Sequence, residues 1–220
     1  MGRDAPREGL DQWGAFVLQC PACQVGQPQG VGFPGDQRPD DRPPSFRNGG
    51  GTCNFGPTTA QAPPCNNDVF YAFSINGGVT WSAPFNVTPA SKFGPTAQWQ
   101  AWGAVSPDGH ALWVGYYDRS YGRCETTGCN DITLARILKP TSASPLAGYT
   151  RVTTSSMPNL VPANNPVQAG FLGDYMWVAT DASGRPHVVW ADTRGRRGTV
   201  EEDVYFAKFG DRDDDDWFRH

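Results

Sequence analysis

The strongest constraint on this chain is a strand-like hexad, opened by Asp, that occurs three times. Asp68-Val-Phe-Tyr-Ala-Phe73, Asp131-Ile-Thr-Leu-Ala-Arg136 and Asp203-Val-Tyr-Phe-Ala-Lys208 lie 63 and then 72 residues apart. Such spacing marks a structure of similar units, each too small to bury its own apolar face and therefore stacked on its neighbours. Helical periodicity is hard to find, whereas short β-branched and aromatic runs bounded by Gly, Pro, Asn and Asp recur throughout. A further strand precedes each hexad: Trp13-Gly-Ala-Phe-Val-Leu18, Ala111-Leu-Trp-Val-Gly-Tyr-Tyr117 and His187-Val-Val-Trp-Ala191. The last two run directly into Asp118-Arg119 and Asp192-Thr-Arg194.

One step upstream, Ala101-Trp-Gly-Ala-Val105 and Tyr175-Met-Trp-Val-Ala179 lead into Ser106-Pro-Asp-Gly109 and Asp181-Ala-Ser-Gly184, Asp/Gly turns suited to hairpins. Residues 80–87 and 149–154 can each supply a fourth strand. The unit is thus four antiparallel strands, A to D, and the chain reads B, C, D, then A, B, C, D, then A, B, C. Four-stranded sheets repeated around an axis form a β-propeller, with about 4 to 8 blades. The expected fold is therefore all-β: a β-propeller of four-stranded antiparallel blades, about three of them, incomplete, in this chain as part of a six-bladed ring. Three blades cannot close a ring, so the remaining blades are expected elsewhere in a longer chain or, as the alternative, in a second copy. Residues 1–220 are read as one partial propeller region, with a Cys/Gly/Pro-rich insertion at 20–67 in the first blade and an acidic tail at 211–220.

Composition agrees and narrows the function. Gly and Pro number 26 and 20, too many for a helical bundle. Leu, Ile, Val and Phe fall below a fifth of the chain, but 8 Trp, 7 Tyr and 12 Phe supply core material that a disordered chain lacks. Basic and acidic groups balance at 18 against 22, so no concentrated basic surface speaks for nucleic acid. No run approaches the ~20 apolar residues of a membrane span, and the first thirty residues lack the order of a signal peptide. Six cysteines in a loop-rich chain suit an oxidising compartment, so an extracellular or periplasmic, secreted protein is expected. Disulfides among Cys20, Cys23, Cys53, Cys65, Cys124 and Cys129 are preferred, with the pairing left open. A zinc site is the alternative, because Cys20-Pro-Ala-Cys23 has the spacing of half a ribbon; Cys53 and Cys65 do not complete it. No metal site is assigned. Calcium could be held by Asp211-Arg-Asp-Asp-Asp-Asp216, although a solvated tail is preferred there.

Ser74-Ile-Asn-Gly-Gly-Val-Thr-Trp81 resembles the Asp-box, or bacterial neuraminidase repeat, of sialidase-like β-propellers. Ser74, Gly78, Thr80 and Trp81 match that motif, and Asn76 stands where the family usually has Asp. Gly170-Phe-Leu-Gly-Asp-Tyr175 and the Asp-Thr-Arg run ahead of Asp203-Val-Tyr-Phe-Ala are similar to secreted bacterial members, so the likeness covers about residues 68–209. It implies that the Asp box is a structural turn between strands C and D, remote from any active face. In the family, three arginines hold the substrate carboxylate, a Tyr activated by a Glu is the nucleophile and an Asp is the acid/base. The Arg-Ile-Pro signature that usually brings the first arginine is absent here.

In an up-and-down blade, the A–B and C–D turns share one side, and the B–C loops and D-to-A connections share the other. On the second side Asp118-Arg119 and Asp192-Thr-Arg194 fall at equivalent blade positions, with Arg123 close in sequence to the first pair. Their functional reading is an anion clamp of converging guanidinium groups. The plainer reading is that each Asp pairs with its neighbouring Arg or caps the strand end. Asp174 and Tyr175, where an inner strand starts, offer the same choice between lining a channel and pinning a loop. The four Glu (Glu8, Glu125, Glu201 and Glu202) form no recognisable pair with a Tyr, so no catalytic set is named. The expected function is recognition of glycan or another anionic ligand by a non-catalytic module. The alternative is an exo-α-sialidase, a glycoside hydrolase with part of its active site outside this chain.

Overall fold

The computed structural model describes residues 16–19, 68–88, 96–122, 129–161, 163–167, 172–173, 175–195 and 200–210. Among them are ten strands and no helix: β1 (Phe16–Gln19), β2 (Phe70–Phe73), β3 (Phe85–Asn86), β4 (Gln98–Val105), β5 (Ala111–Asp118), β6 (Asp131–Leu138), β7 (Leu146–Arg151), β8 (Trp177–Thr180), β9 (Pro186–Asp192) and β10 (Asp203–Lys208). They form three antiparallel sheets in the orders β1-β2-β3, β4-β5-β6-β7 and β10-β9-β8. The protein is all-β. Each strand falls where the sequence places one, though β7 starts and ends three residues earlier than expected and β3 is reduced to two residues. The insertion at 20–67 and the tail at 211–220 lie outside the described residues.

The four-stranded sheet is the middle layer. Alternate side chains of a strand point to opposite faces, and β5 is buried along its whole length, so both of its faces are covered. Leu112, Val114, Tyr116, Ala135 and Ile137 pack with Val69, Tyr71 and Val87 of the first sheet. Trp113, Tyr117, Ile132 and Leu134 on the other face pack with Met176, Val178, Val188 and Trp190 of the third. Gly115 permits that approach: a Cβ there would lie 2.7 Å from Val178 Cγ2 and 2.9 Å from Met176 Cε. By contrast, β10 alternates half-buried and exposed residues, because only one of its faces meets another sheet.

A bulge in β4 serves the same packing. The pairing with β5 shifts between Trp99 and Trp102, and Gln100 adopts φ 52° there. Two residues three apart would ordinarily face opposite sides of a sheet; the extra residue brings both tryptophans to the face that meets the third sheet. Trp99 stacks on Tyr117 at 5.5 Å and Trp102 on Trp177 at 4.0 Å between ring centroids.

Turn chemistry secures one side of the stack. In the 74–81 turn, Ser74 Oγ accepts from Gly78 N at 2.8 Å and donates to Asn76 Oδ1 at 2.9 Å. Asn76 Oδ1 accepts from Thr80 N at 2.9 Å, as an Asp would, and Asn76 Nδ2 also donates to Thr80 Oγ1 at 2.8 Å. Gly78 sits at φ +86°, a backbone conformation that L side chains rarely adopt, and a Cβ there would lie 3.8 Å from the half-buried Trp81 ring. The two Asp/Gly hairpin turns meet: Trp113 Nε1 donates to Gly184 O at 3.2 Å, and Thr180 Oγ1 donates to Val105 O at 3.0 Å.

Candidate functional site

At the opposite ends of these strands, polar side chains are buried together. Asp118, wholly buried at the end of β5, accepts from Gln98 Nε2 at 3.0 Å, Ser120 N at 2.8 Å and Thr133 Oγ1 at 2.7 Å. All three donors are neutral. Arg119, 6% exposed, turns to Asn130 Oδ1 (Nε, 2.9 Å) and Asn159 Oδ1 (Nη2, 3.2 Å), with its guanidinium 5.0 Å from the Trp99 ring centroid. Behind Trp99, the Tyr117 hydroxyl donates to Ala191 O at 2.8 Å and accepts from Ala191 N at 3.1 Å. Burial pushes the Tyr117 phenol well above its ordinary pKa. Arg119 therefore acts as a strut joining the second sheet to the 157–160 connection.

The corresponding position in the third sheet is wired differently. Asp192, also wholly buried, takes Arg194 Nη2 at 2.6 Å and Nε at 2.9 Å in a forked contact, plus Trp190 Nε1 at 2.9 Å. The hydrogen bond to Asp192 and its charge raise the pKa of Arg194 against the opposing effect of burial. Arg194 keeps an outward edge: Nη1 donates to Thr154 Oγ1 at 3.1 Å and Ser155 Oγ at 3.3 Å.

A third buried carboxylate, Asp131, lies opposite Asp118 in the pairing of β5 with β6. Asp131 is bound by Arg151 Nη2 at 2.7 Å and Nε at 3.0 Å, by Thr153 Oγ1, and by Ser156 Oγ at 2.7 Å. Arg151 also lies 4.8 Å over the Tyr121 ring, whose phenol is pushed up by burial. The segment 151–156, Arg-Val-Thr-Thr-Ser-Ser, thus carries hydroxyls between two guanidiniums, Arg151 and Arg194, whose side chains are 33% and 19% exposed. Both cations are neutralised from below by buried Asp, so the outer rim offers directed N–H and O–H donors without a large net charge. Sequence reading did not single out Arg151, Thr154, Ser155 or Ser156. The available signal was the hydroxyl run after a fourth strand, on the side where the D-to-A connections gather.

Of the residues expected at the site, the structure joins Asp192 to Arg194 and buries Asp118 and Arg119 apart from that pair's outward edge. Tyr175 is 78% exposed ahead of β8. Asp174, Arg123, Cys20, Cys23, Cys53, Cys65 and Cys124 lie outside the described residues, as does the run at 211–216 considered for calcium. Cys129 is described, just before β6, and the expectation of disulfides rests on partners that are not. Ser74, Asn76, Gly78, Thr80 and Trp81 form the turn at the far end of β2. Among the described residues, no three His, Cys, Asp or Glu are grouped to hold a metal ion, and no helix is long and apolar enough to cross a membrane. Compared with known proteins, the chain matches no family model, no curated protein and no solved structure.

Proposed function

We propose that this chain is part of a secreted sialidase-like β-propeller, each sheet a blade of a six-bladed ring, that recognises a glycan or another anionic ligand on its loop side without performing catalysis. The observation that carries the reading is the rim of Arg151, Thr154, Ser155 and Arg194. It sets the Arg194 guanidinium, from the end of β9, against the Thr154 and Ser155 hydroxyls of the connection that Arg151 opens, at the side of the stack opposite the Asp-box turn. Carboxylates and sulfates are recognised by such forked N–H donors, and hydroxyl groups of a sugar by Ser and Thr. Arg119, 6% exposed and engaged with Asn130 and Asn159, is given no ligand contact in this reading. The turn hydrogen bonds of Ser74, Asn76 and Thr80 support the blade reading, because they tie down a C–D turn with Asn in the place of Asp.

The test is calorimetric titration of the purified, oxidised chain with a sialylated trisaccharide and with its desialylated core, alongside release of fluorophore from an aryl sialoside. Saturable binding of the acidic sugar, weakened about tenfold or more in Arg151→Ala and Arg194→Ala, is expected, with no fluorophore released. Binding that is indifferent to both substitutions would defeat the rim. Turnover would make the protein a glycoside hydrolase.

A further inference from the structure

The two sides of the stack differ in charge. On the loop side the carboxylates of Asp118, Asp131 and Asp192 are buried. On the side of the hairpin turns, residues 106–110, 136–146, 181–187 and 208–210 hold Arg136, Lys139, Arg185 and Lys208, with His110 and His187, against the acids Asp108 and Asp181. Both acids are engaged locally: Asp108 accepts from Ser106 Oγ and His110 N, and Asp181 takes Arg185 Nε at 2.8 Å. The basic groups adjoin one another. Lys208 lies opposite His187 in the pairing of β10 with β9. Gly184, next to Arg185, accepts from Trp113 Nε1 at 3.2 Å, and the Arg136 guanidinium lies 5.2 Å from the centroid of that Trp113 ring. Lys139 N donates to His110 O at 3.0 Å, where the ends of β5 and β6 meet. The side chains of His110, Lys139 and Lys208 are exposed. β10 delivers the chain to this band: Phe209 N donates to Pro186 O at 3.2 Å, and Phe209 packs on the cluster of Ala111 and Trp113. Gly210 is exposed, and after it come Asp211-Arg-Asp-Asp-Asp-Asp216, a run of carboxylates with a single guanidinium.

We propose that the acidic run 211–216 docks back on the turn side of its own chain, across Lys208 and the adjoining strand ends at His110 and Lys139. The charges are complementary, and the run starts beside the band that it neutralises. Stacked sheets lie about 10 Å apart and six extended residues span about 20 Å, so the run reaches from the third sheet to the second. Surface ion pairs are individually weak, but attachment through Gly210 gives the carboxylates a high effective concentration over the band. The docked run covers the turns that join the second sheet to the third, through Trp113 with Gly184 and Val105 with Thr180. This inference rests on charge and connectivity and is independent of the anion-binding rim, which lies on the other side.

The lysines of the chain are Lys92, Lys139 and Lys208, which makes the contact readable. The test is carbodiimide coupling, which joins carboxylates directly to amines that touch them, on a dilute mixture of unlabelled and isotope-labelled chains, followed by digestion and mass spectrometry. The tail peptide 213–219 is expected on Lys139 within single-label chains, with a yield about threefold or more lower at 1 M salt, where the Debye length shrinks to about 3 Å. Lys208→Glu leaves the Lys139 amine in place and is expected to lower that yield about twofold, through the charge alone. The absence of a Lys139 link, with coupling confined to Lys92 or to the sequence neighbour Lys208, would overturn the proposal. Mixed-label links would place the tail on another copy, and a Lys139 yield indifferent to salt and to Lys208→Glu would remove the charge complementarity; either would overturn it too.

Discussion

β5 and β9 are equivalent strands: each runs through the middle of its sheet, ends in a wholly buried Asp and is followed within two residues by an Arg. Asp118 is held by three neutral donors while Arg119 bridges to Asn130 and Asn159; Asp192 takes Arg194 in a fork. Their faces differ as well. Gly115 has a sheet against it, whereas Val189, at the same position in β9, faces outward beside the exposed Phe206. The same local pattern thus yields a neutral cap or an ion pair, and a covered or a bare face, according to which neighbours the stack supplies.

The widest separation between the two strands is expected from neutralising each Asp. Asp192→Asn removes the charge that holds a partly buried guanidinium and should cost about 3 kcal/mol in urea unfolding. Asp118→Asn keeps an acceptor for neutral partners and should cost about 1 kcal/mol. Equal costs would break the comparison.

The next effect comes from alkali. Tyr116 and Tyr117 lie in β5, where burial raises both phenol pKa values, and their equivalents in β9 are Trp190 and Ala191. Above the ordinary value of about 10, the unfolded chain loses phenolic protons that the native state retains, so stability falls as pH rises. By pH 10.5 the loss should reach roughly 1 kcal/mol for each of the two, and Tyr117→Phe should remove its share of the slope. A slope unchanged by that substitution would show that Tyr117 titrates normally.

Filling the two faces should give the smallest difference. Gly115→Val drives a branched side chain into Val178 and is expected to cost about 1–2 kcal/mol, whereas Val189→Ile, at a half-buried position paired with the exposed Phe206, should stay within about 0.5 kcal/mol. A cost at Val189 that grows with protein concentration would instead report a partner seated on that face, and would sharpen the comparison.

Much of this architecture is legible in the sequence. Apolar runs bounded by turn residues locate the strands, and the Asp/Gly turns with the Ser74 to Trp81 motif locate the hairpins, because both signals act over a few residues. The bulge at Gln100 is not legible: Trp99 and Trp102, three apart, read as facing opposite ways. Nor is the role of Arg151, which becomes clear only when Asp131 is seen beneath it, 20 residues away in sequence.

What the sequence by itself determined is the alternation of strands and turns, the threefold repeat and the side on which the Asp and Arg residues gather. Strand direction follows from connectivity, and connectivity is written in the order of the segments. Only the tertiary structure decided which Asp takes which Arg, which strand is buried on both faces and which apolar face is left bare. Those outcomes depend on groups contributed by distant parts of the chain, such as the Ala191 backbone on Tyr117 and the Thr154 hydroxyl on Arg194, 74 and 40 residues apart. No local pattern carries that information, since burial and pairing energies are set by what packs against a residue rather than by what adjoins it in the chain.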